Sequence, residues 1–240
     1  MNGTISVIIP TLNEGRRIAM AIRRIQGSDA AEVIVVDGGS DDGTADIARE
    51  TGATVLSEPA NRGRQQNLGA RHAKGSILLF LHADTVLPAD FCGQVRETLA
   101  MPGVSAGAFR FGLDAEGWKL RLVERIVGLR CRLLRLPYGD QALFVSAKSF
   151  RKAGGFADLP VMEDFDLIRR LRALGRIQLA RGVAVTSARR WIREGVVQVT
   201  WRHQLCILGY YARVAPERLA RLRGRVGGRK AGGRASRPGA

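Results

Sequence analysis

The chain has 240 residues, 45% of them hydrophobic and 25% charged, with a formal net charge of +16. That length supports one large core, and the balance is that of a globular protein rather than a disordered or fibrous one. Three scattered cysteines, Cys92, Cys131 and Cys206, make no C-x-x-C pair, which argues against a disulfide frame or a zinc site and fits a reducing compartment.

Met1-Asn2-Gly3-Thr4 lacks a basic region followed by an apolar one, so no signal peptide is expected. No apolar run approaches the roughly 20 residues that span a bilayer. A cytoplasmic protein is therefore expected, soluble or peripheral on the inner face of the membrane. The charge is uneven: residues 1–60 carry a net −4 and the remaining 180 carry +20. From Arg221 onward there are seven basic residues and no acidic one. A disordered basic tail is expected over 216–240, attractive to an anionic membrane or to nucleic acid.

In chain order, Ile5-Ser6-Val7-Ile8-Ile9-Pro10 reads as a short buried strand. Thr11-Leu12-Asn13-Glu14 follows, then an amphipathic helix to about Ile25 with Ile18, Ala21, Ile22 and Ile25 on one face. The next strand, 32–36, runs into Asp37-Gly38-Gly39-Ser40-Asp41-Asp42-Gly43-Thr44. Such a glycine-rich turn lets backbone approach a ligand, and Asp37 at the strand end offers a nucleotide an acceptor. Asp41 or Asp42 could cap the helix that reaches Thr51.

A strand at 53–57 leads to a helix on which Arg64 and Asn67 share a face. Arginine gains nothing from the dipole at a helix start, so Arg64 favours an anion-binding role. Ser76–Leu81 then reads as a strand buried on both faces, ending in His82 and Asp84, two potential metal ligands at a carboxyl-end crevice. A helix follows from Pro88 to about Ala100. The order βαβαβαβα with short connections argues for an α/β fold with a doubly wound, mostly parallel central sheet flanked by helices. Neither G-x-G-x-x-G nor a P-loop follows the first strand.

The second half is less regular. Val104–Leu113 reads as a strand and Trp118–Leu134 as an amphipathic helix, with five arginines between Arg121 and Arg135 suited to a membrane surface. Tyr138-Gly139-Asp140-Gln141 precedes a strand at 142–146. Met162-Glu163-Asp164 opens a helix, where acidic residues suit the dipole. A strand at 183–186 delivers Ser187-Ala188-Arg189-Arg190-Trp191, and a last helix covers about 195–213.

Five of these segments, in this order, resemble a family 2 glycosyltransferase of the GT-A fold: Val7–Glu14, Val35–Thr44, the Arg64/Asn67 helix, Leu81-His82-Ala83-Asp84, and Met162-Glu163-Asp164. The likeness covers about 4–191. Leu-His-Ala-Asp-Thr and Tyr-Gly-Asp-Gln are most similar to a small bacterial branch, the radical SAM/selenodomain-associated transferase 2 proteins.

The resemblance implies a single nucleotide-diphospho-sugar transferase domain over 1–215. Its nucleotide half is 1–100, its acceptor and catalytic half 101–191, and a helical C-terminal extension follows over 192–215. It implies transfer of a sugar from a UDP- or GDP-type donor to a hydroxyl of a sugar or lipid acceptor, with inversion. Pro10, Thr11, Asn13, Glu14, Asp37, Gly39, Arg64, Asn67 and Ala83 would hold the donor nucleotide. Asp84, with His82, would bind Mn²⁺ or Mg²⁺, and Asp164 would be the base. Asp140, Gln141, Glu163, Arg190 and Trp191 would face the acceptor and diphosphate.

His82 replaces the first acid of D-x-D, which favours Mn²⁺ over Mg²⁺. Ser187 stands where processive synthases have glutamine, so a non-processive enzyme is expected. Two other readings remain. A nucleotidyltransferase would want a basic glycine-rich loop after the first strand. A nucleic-acid-binding protein would explain the charge but not the aspartates at strand ends.

Overall fold

The computed structural model describes residues 3–28, 32–134, 137 and 139–224. Eight strands form one sheet in the order β3-β2-β1-β4-β7-β6-β8-β5. The first half alternates strand and helix: β1 (Ile5–Thr11), α1 (Gly15–Gln26), β2 (Glu32–Asp37), α2 (Thr44–Glu50), β3 (Thr54–Ser57), α3 (Arg62–His72) and β4 (Ile77–Phe80). β1 is parallel to both β2 and β4, and β2 to β3. The strand order reverses direction at β1. The carboxyl ends of β1 and β4 therefore flank a switch point, where open α/β sheets leave a crevice.

After the two-residue β5 (Thr85–Val86) and α4 (Phe91–Ala100) come β6 (Val104–Leu113) and α5 (Trp118–Leu134). A 3₁₀ turn at Gly139–Gln141 leads to β7 (Phe144–Ser146) and α6 (Ala147–Lys152). Then follow α7 (Glu163–Arg172), β8 (Arg176–Thr186), α8 (Arg189–Glu194), α9 (Val196–Tyr211) and α10 (Pro216–Leu222). β7 runs antiparallel between β4 and β6, while β8 is parallel to β6 and antiparallel to β5. The sheet is thus mostly parallel.

Each face of the sheet buries its own core. Ile5, Val7, Ile9 and Leu79 point to one side with Ile18 and Ile22 of α1. Ile8, Leu78 and Phe80 point to the other with Phe150, Phe156 and Phe165. This is the alternation of a strand buried on both faces. α3 lies tight on the second face, because a Cβ on Gly69 would meet Ile8 Cγ2 at 2.5 Å. A third cluster joins Phe111 and Leu113 of β6 to Leu120 and Val123 of α5, Trp191 of α8 and Val199 of α9.

Three expectations change. β8 spans 11 residues and not only 183–186, because its pairing to β6 already runs from Arg176 to Leu179 and resumes at Val183 after an irregularity that takes in Arg181 and Gly182. The tail expected from 216 begins instead with α10, whose Leu219 and Ala220 are buried on the core beside α9; residues 225–240 lie outside those described. The start of α2 has Gly43, at φ 80°, in the cap position. Asp42, one residue earlier, receives Thr44 N at 3.1 Å on one carboxylate oxygen and Gly15 N at 2.9 Å on the other, so it still serves the start of α2 and also ties the start of α1 to this turn.

Candidate active site

β4 ends where Leu81 N donates to Ile8 O at 2.9 Å. The chain then turns: Thr85 N donates to His82 O at 3.1 Å, so His82 and Asp84 project from one tight loop. The β5–β8 pairing fixes what lies opposite. Thr85 Oγ1 donates to Thr186 Oγ1 at 3.0 Å, and Ser187 N to Asp84 O at 3.2 Å. The chain leaving β8 is thereby laid against the His82–Asp84 turn. Arg189 follows, and its Nη2 sits 3.1 Å from Asp84 Oδ2 and 3.8 Å from Glu14 Oε1. One guanidinium thus spans the carboxylates at the ends of β1 and β4.

The crevice is a cleft of about 740 Å³, within the range of ligand sites. One wall is Pro10, Thr11, Glu14 and Gln65; the next is His82, Ala83 and Asp84; Arg190, Trp191 and His203 face them. Gln65 closes the floor: its Nε2 donates to Thr11 O at 2.9 Å and Val36 O at 2.8 Å, pinning α3 to both strand ends. An adjoining recess, sharing Arg62, His82, Asp140, His203 and Arg223 with the cleft, contains Asp164. Asp164 lies in the first turn of α7, and its Oδ1 receives Phe165 N at 2.7 Å. Carboxylates 80 positions apart in the chain therefore border one continuous hollow.

Electrostatics in the recess are sharply divided. Burial raises Asp140 to about 6, with Arg130 opposing and Asp164 assisting. Burial likewise lowers His203 to about 3, helped by the charges of Arg223 and Arg190, so it is a neutral imidazole at pH 7. Trp191 stands edge-on to that ring, centroids 5.9 Å apart. Arg190 is lowered, first by burial and then by the charge of Arg223; its Nη2 donates to Arg223 O at 2.8 Å. α10 and the residues after it thus close one end of the hollow.

A model of glycosyl transferase family 2 matches residues 6–157, which run from β1 through the His82–Asp84 turn to just before α7. This chain belongs to glycosyl transferase family 2. An uncharacterized glycosyltransferase of Mycobacterium tuberculosis is 30% identical over 182 residues, covering 70% of this chain and 68% of that one. A 4,4'-diaponeurosporenoate glycosyltransferase of Staphylococcus haemolyticus is 40% identical over 93 residues, 35% of this chain and 25% of its own length. The match thus spans only about a quarter of that relative.

The fold of this family 2 member is also that of glucosyl-3-phosphoglycerate synthase from Mycobacterium tuberculosis. A structure of that synthase with Mn²⁺, UDP and glucosyl-3-phosphoglycerate superposes with a TM-score of 0.62 at 24% identity, covering 87% of this chain and 80% of that one. One with Mg²⁺ and UDP gives 0.62 at 22% identity, over 87% and 79%. These likenesses establish the GT-A architecture expected from the sequence.

Of the residues singled out in the sequence of this family 2 member, Pro10, Thr11, Glu14, His82, Ala83, Asp84, Asp140, Arg190 and Trp191 line the cleft, and Asp164 the recess. Others are used elsewhere. Asp37 is buried one hydrogen bond behind the wall, receiving Thr11 Oγ1 at 3.1 Å, Gly39 N at 3.0 Å and Ser40 N at 2.8 Å. It braces the turn that contains Gly39. Asn13, at φ 56°, receives Asp41 N at 3.1 Å and gives its own N–H to Ser40 Oγ at 2.9 Å.

Three further candidates are engaged away from the cleft lining. Arg64 does not reach the cleft; its Nε and Nη2 grip Asp158 at 2.9 and 2.6 Å. Asn67 is bonded through both amide atoms to the Phe156 backbone, at 2.8 and 2.9 Å. Gln141 is fully buried, with its Nε2 on Phe109 O at 2.9 Å. All three polar groups hold the scaffold. Glu163, the first residue of α7, is buried, and Tyr138 lies outside the described residues.

Arg62, Gln65, His203 and Arg223 line the hollow but carried no signal. Arg62 and Gln65 flank Arg64 on the same helix, so α3 lines the cleft at positions beside Arg64. His203 lies on α9 and Arg223 just after α10, and the docking of those helices is revealed only by the tertiary fold.

Proposed function

We propose that this protein transfers a glycosyl group from a nucleoside-diphosphate sugar, of UDP or GDP type, to a hydroxyl acceptor with inversion and without processivity. One observation carries the reading: Asp84 and Asp164 open on one hollow between the donor wall of Pro10, Thr11 and Glu14 and the cationic face of Arg190. The superposed synthase, solved in complex with Mn²⁺ and UDP, supports the donor class.

Among the described residues no three His, Cys, Asp or Glu side chains are grouped to cage a metal. Asp84 with His82 suits a different arrangement, in which Mn²⁺ or Mg²⁺ takes one or two protein ligands and draws the rest from substrate phosphates and water. Bound there, the cation would neutralise charge on the departing diphosphate. Thr11 and Glu14 would seat the nucleoside end of the donor. Arg190 would meet the phosphate oxygens and stabilise charge as it develops. Asp164 would take the proton of the acceptor hydroxyl, whose oxygen then attacks the anomeric carbon from the face opposite the leaving group.

The test separates binding from chemistry. Asp164→Asn should lower transfer by about 10²- to 10⁴-fold, while calorimetry shows UDP and Mn²⁺ binding within about twofold of the parent. Near-normal turnover would reduce Asp164 to a helix-start residue. Failure of every UDP- or GDP-sugar to stabilise the parent with Mn²⁺ would remove the donor assignment.

A further inference from the structure

α5 is apolar on two opposite sides. Leu120, Val123 and Cys131 face the interior, whereas Trp118, Leu122, Ile126 and Leu129 form an exposed stripe at spacings of four, four and three. Trp118 is 73% exposed. α9 repeats the arrangement. Its Val199 and His203 wall the cleft, while Val197, Trp201 and Leu208 share an outer stripe in which Trp201 is 65% exposed. α8, which contributes Trp191 to the same packed cluster, exposes Ile192. Folded monomers seldom present several large apolar side chains, two of them tryptophans, in rows at helical spacing.

The flanking charge says what covers these rows. Beside the α5 stripe lie the exposed Lys119, Arg121 and Arg125; its single acid, Glu124, is held by Arg121 at 2.6 Å. α9 contains no acidic residue at all, and the chain after residue 60 carries +20. A second copy would set arginines against arginines. An anionic lipid surface satisfies both features, accepting tryptophan and leucine at the acyl boundary and cations at the headgroups.

We infer that α5, α8 and α9 form a docking face by which the protein lies on an anionic bilayer, with Trp118 and Trp201 inserted. α9 is 16 residues long, and no described helix is long and apolar enough to cross a membrane, so the contact is interfacial. Since the opposite side of α9 walls the cleft, docking holds the cleft about one helix diameter, roughly 10 Å, from the lipid. The inference is independent of the transferase reading.

The experiment is co-sedimentation of the full chain with vesicles of phosphatidylcholine alone and of phosphatidylcholine mixed with phosphatidylglycerol. The parent should pellet with the mixed vesicles and bind the neutral ones about tenfold more weakly. The double variant Trp118→Ser/Trp201→Ser should lose about tenfold or more on mixed vesicles, with its melting temperature unchanged because both side chains are exposed. Independently of any variant, brominated lipid should quench the parent's tryptophan fluorescence, Trp191 being buried. Equal pelleting of the double variant would mean charge alone binds and would overturn the inference. So would absent quenching, or sedimentation equilibrium showing a dimer that the double variant abolishes.

Discussion

Arg189 decides what the cleft presents before any ligand enters. Its guanidinium lies between Asp84 and Glu14, so a cation approaching Asp84 must displace it. The side chains are partly exposed, at 49% for Arg189 and 25% for Asp84, and such pairs hold about 0.2–1 kcal/mol. Arg189→Ala should therefore tighten Mn²⁺ binding in the presence of UDP only modestly, by about two- to fivefold. Calorimetry that shows weaker binding would make Arg189 a diphosphate ligand rather than a competitor.

Asp140 offers a second measurement of single-residue scale. Its folded value of about 6 exceeds the ordinary 3.8, with burial as the leading cause. A raised carboxyl favours folding while protonated, so its ionisation costs stability fully above pH 6, and the cost fades as pH falls from 6 toward 4. Asp140→Asn should melt higher than the parent at pH 7.5, with the gap shrinking by pH 5. A gap independent of pH would place the carboxyl in water. Asp140 was read in the sequence through its Tyr-Gly-Asp-Gln neighbours, but nothing local distinguishes it from Gln141, which the fold turns into the core. Two adjacent polar residues on a 3₁₀ turn face different ways, and that direction is set by Phe109 and Cys131 in distant elements.

At the scale of elements, legibility followed locality. β1, α1 and β4 were evident because apolar period and turn residues sit side by side in the chain. β8 was cut short because Arg176, Gln178, Arg181 and Gly182 interrupt its pattern, while the strand is held by β6, more than 60 positions earlier. The shared face of Arg64 and Asn67 on α3 is real. Its partners, Asp158 and Phe156, lie about 90 residues on, so that face clamps the segment before α7. The seam between α3 and the sheet is tighter than either sequence shows. Gly69→Val would drive side-chain atoms into Ile8 and Val36, costing about 1–3 kcal/mol of overpacking. For a chain of this size each kcal/mol lowers Tm by about 2–4 °C. An unchanged Tm would show that α3 can lift from the sheet without penalty.

Across the whole molecule, the hollow is closed by the part of the chain least readable in advance. A basic, glycine-rich composition beyond residue 216 suggested a tail, yet Leu219 and Ala220 bury against α9 and set Arg221 and Arg223 at the cleft. The packing depends on Gly209, where a Cβ would stand 2.5 Å from Leu219 Cδ2. α9 is in turn anchored to α7, since Tyr210 Oη donates to Asp166 Oδ1 at 2.6 Å. Burial, with the Asp166 bond and charge assisting, raises that phenol to about 12. A load on α10 is therefore passed through α9 to the helix that positions Asp164. Gly209→Val should push α10 off, removing the Arg223 carbonyl from Arg190 and opening the recess to water. The expected outcome is a loss of about 1–3 kcal/mol in urea unfolding, together with a fall in transfer steeper than the fall in UDP affinity. If the variant unfolds less readily than that and transfers sugar at the parental rate, α10 is an appendage, and the end of the hollow that holds Asp164 is complete without it.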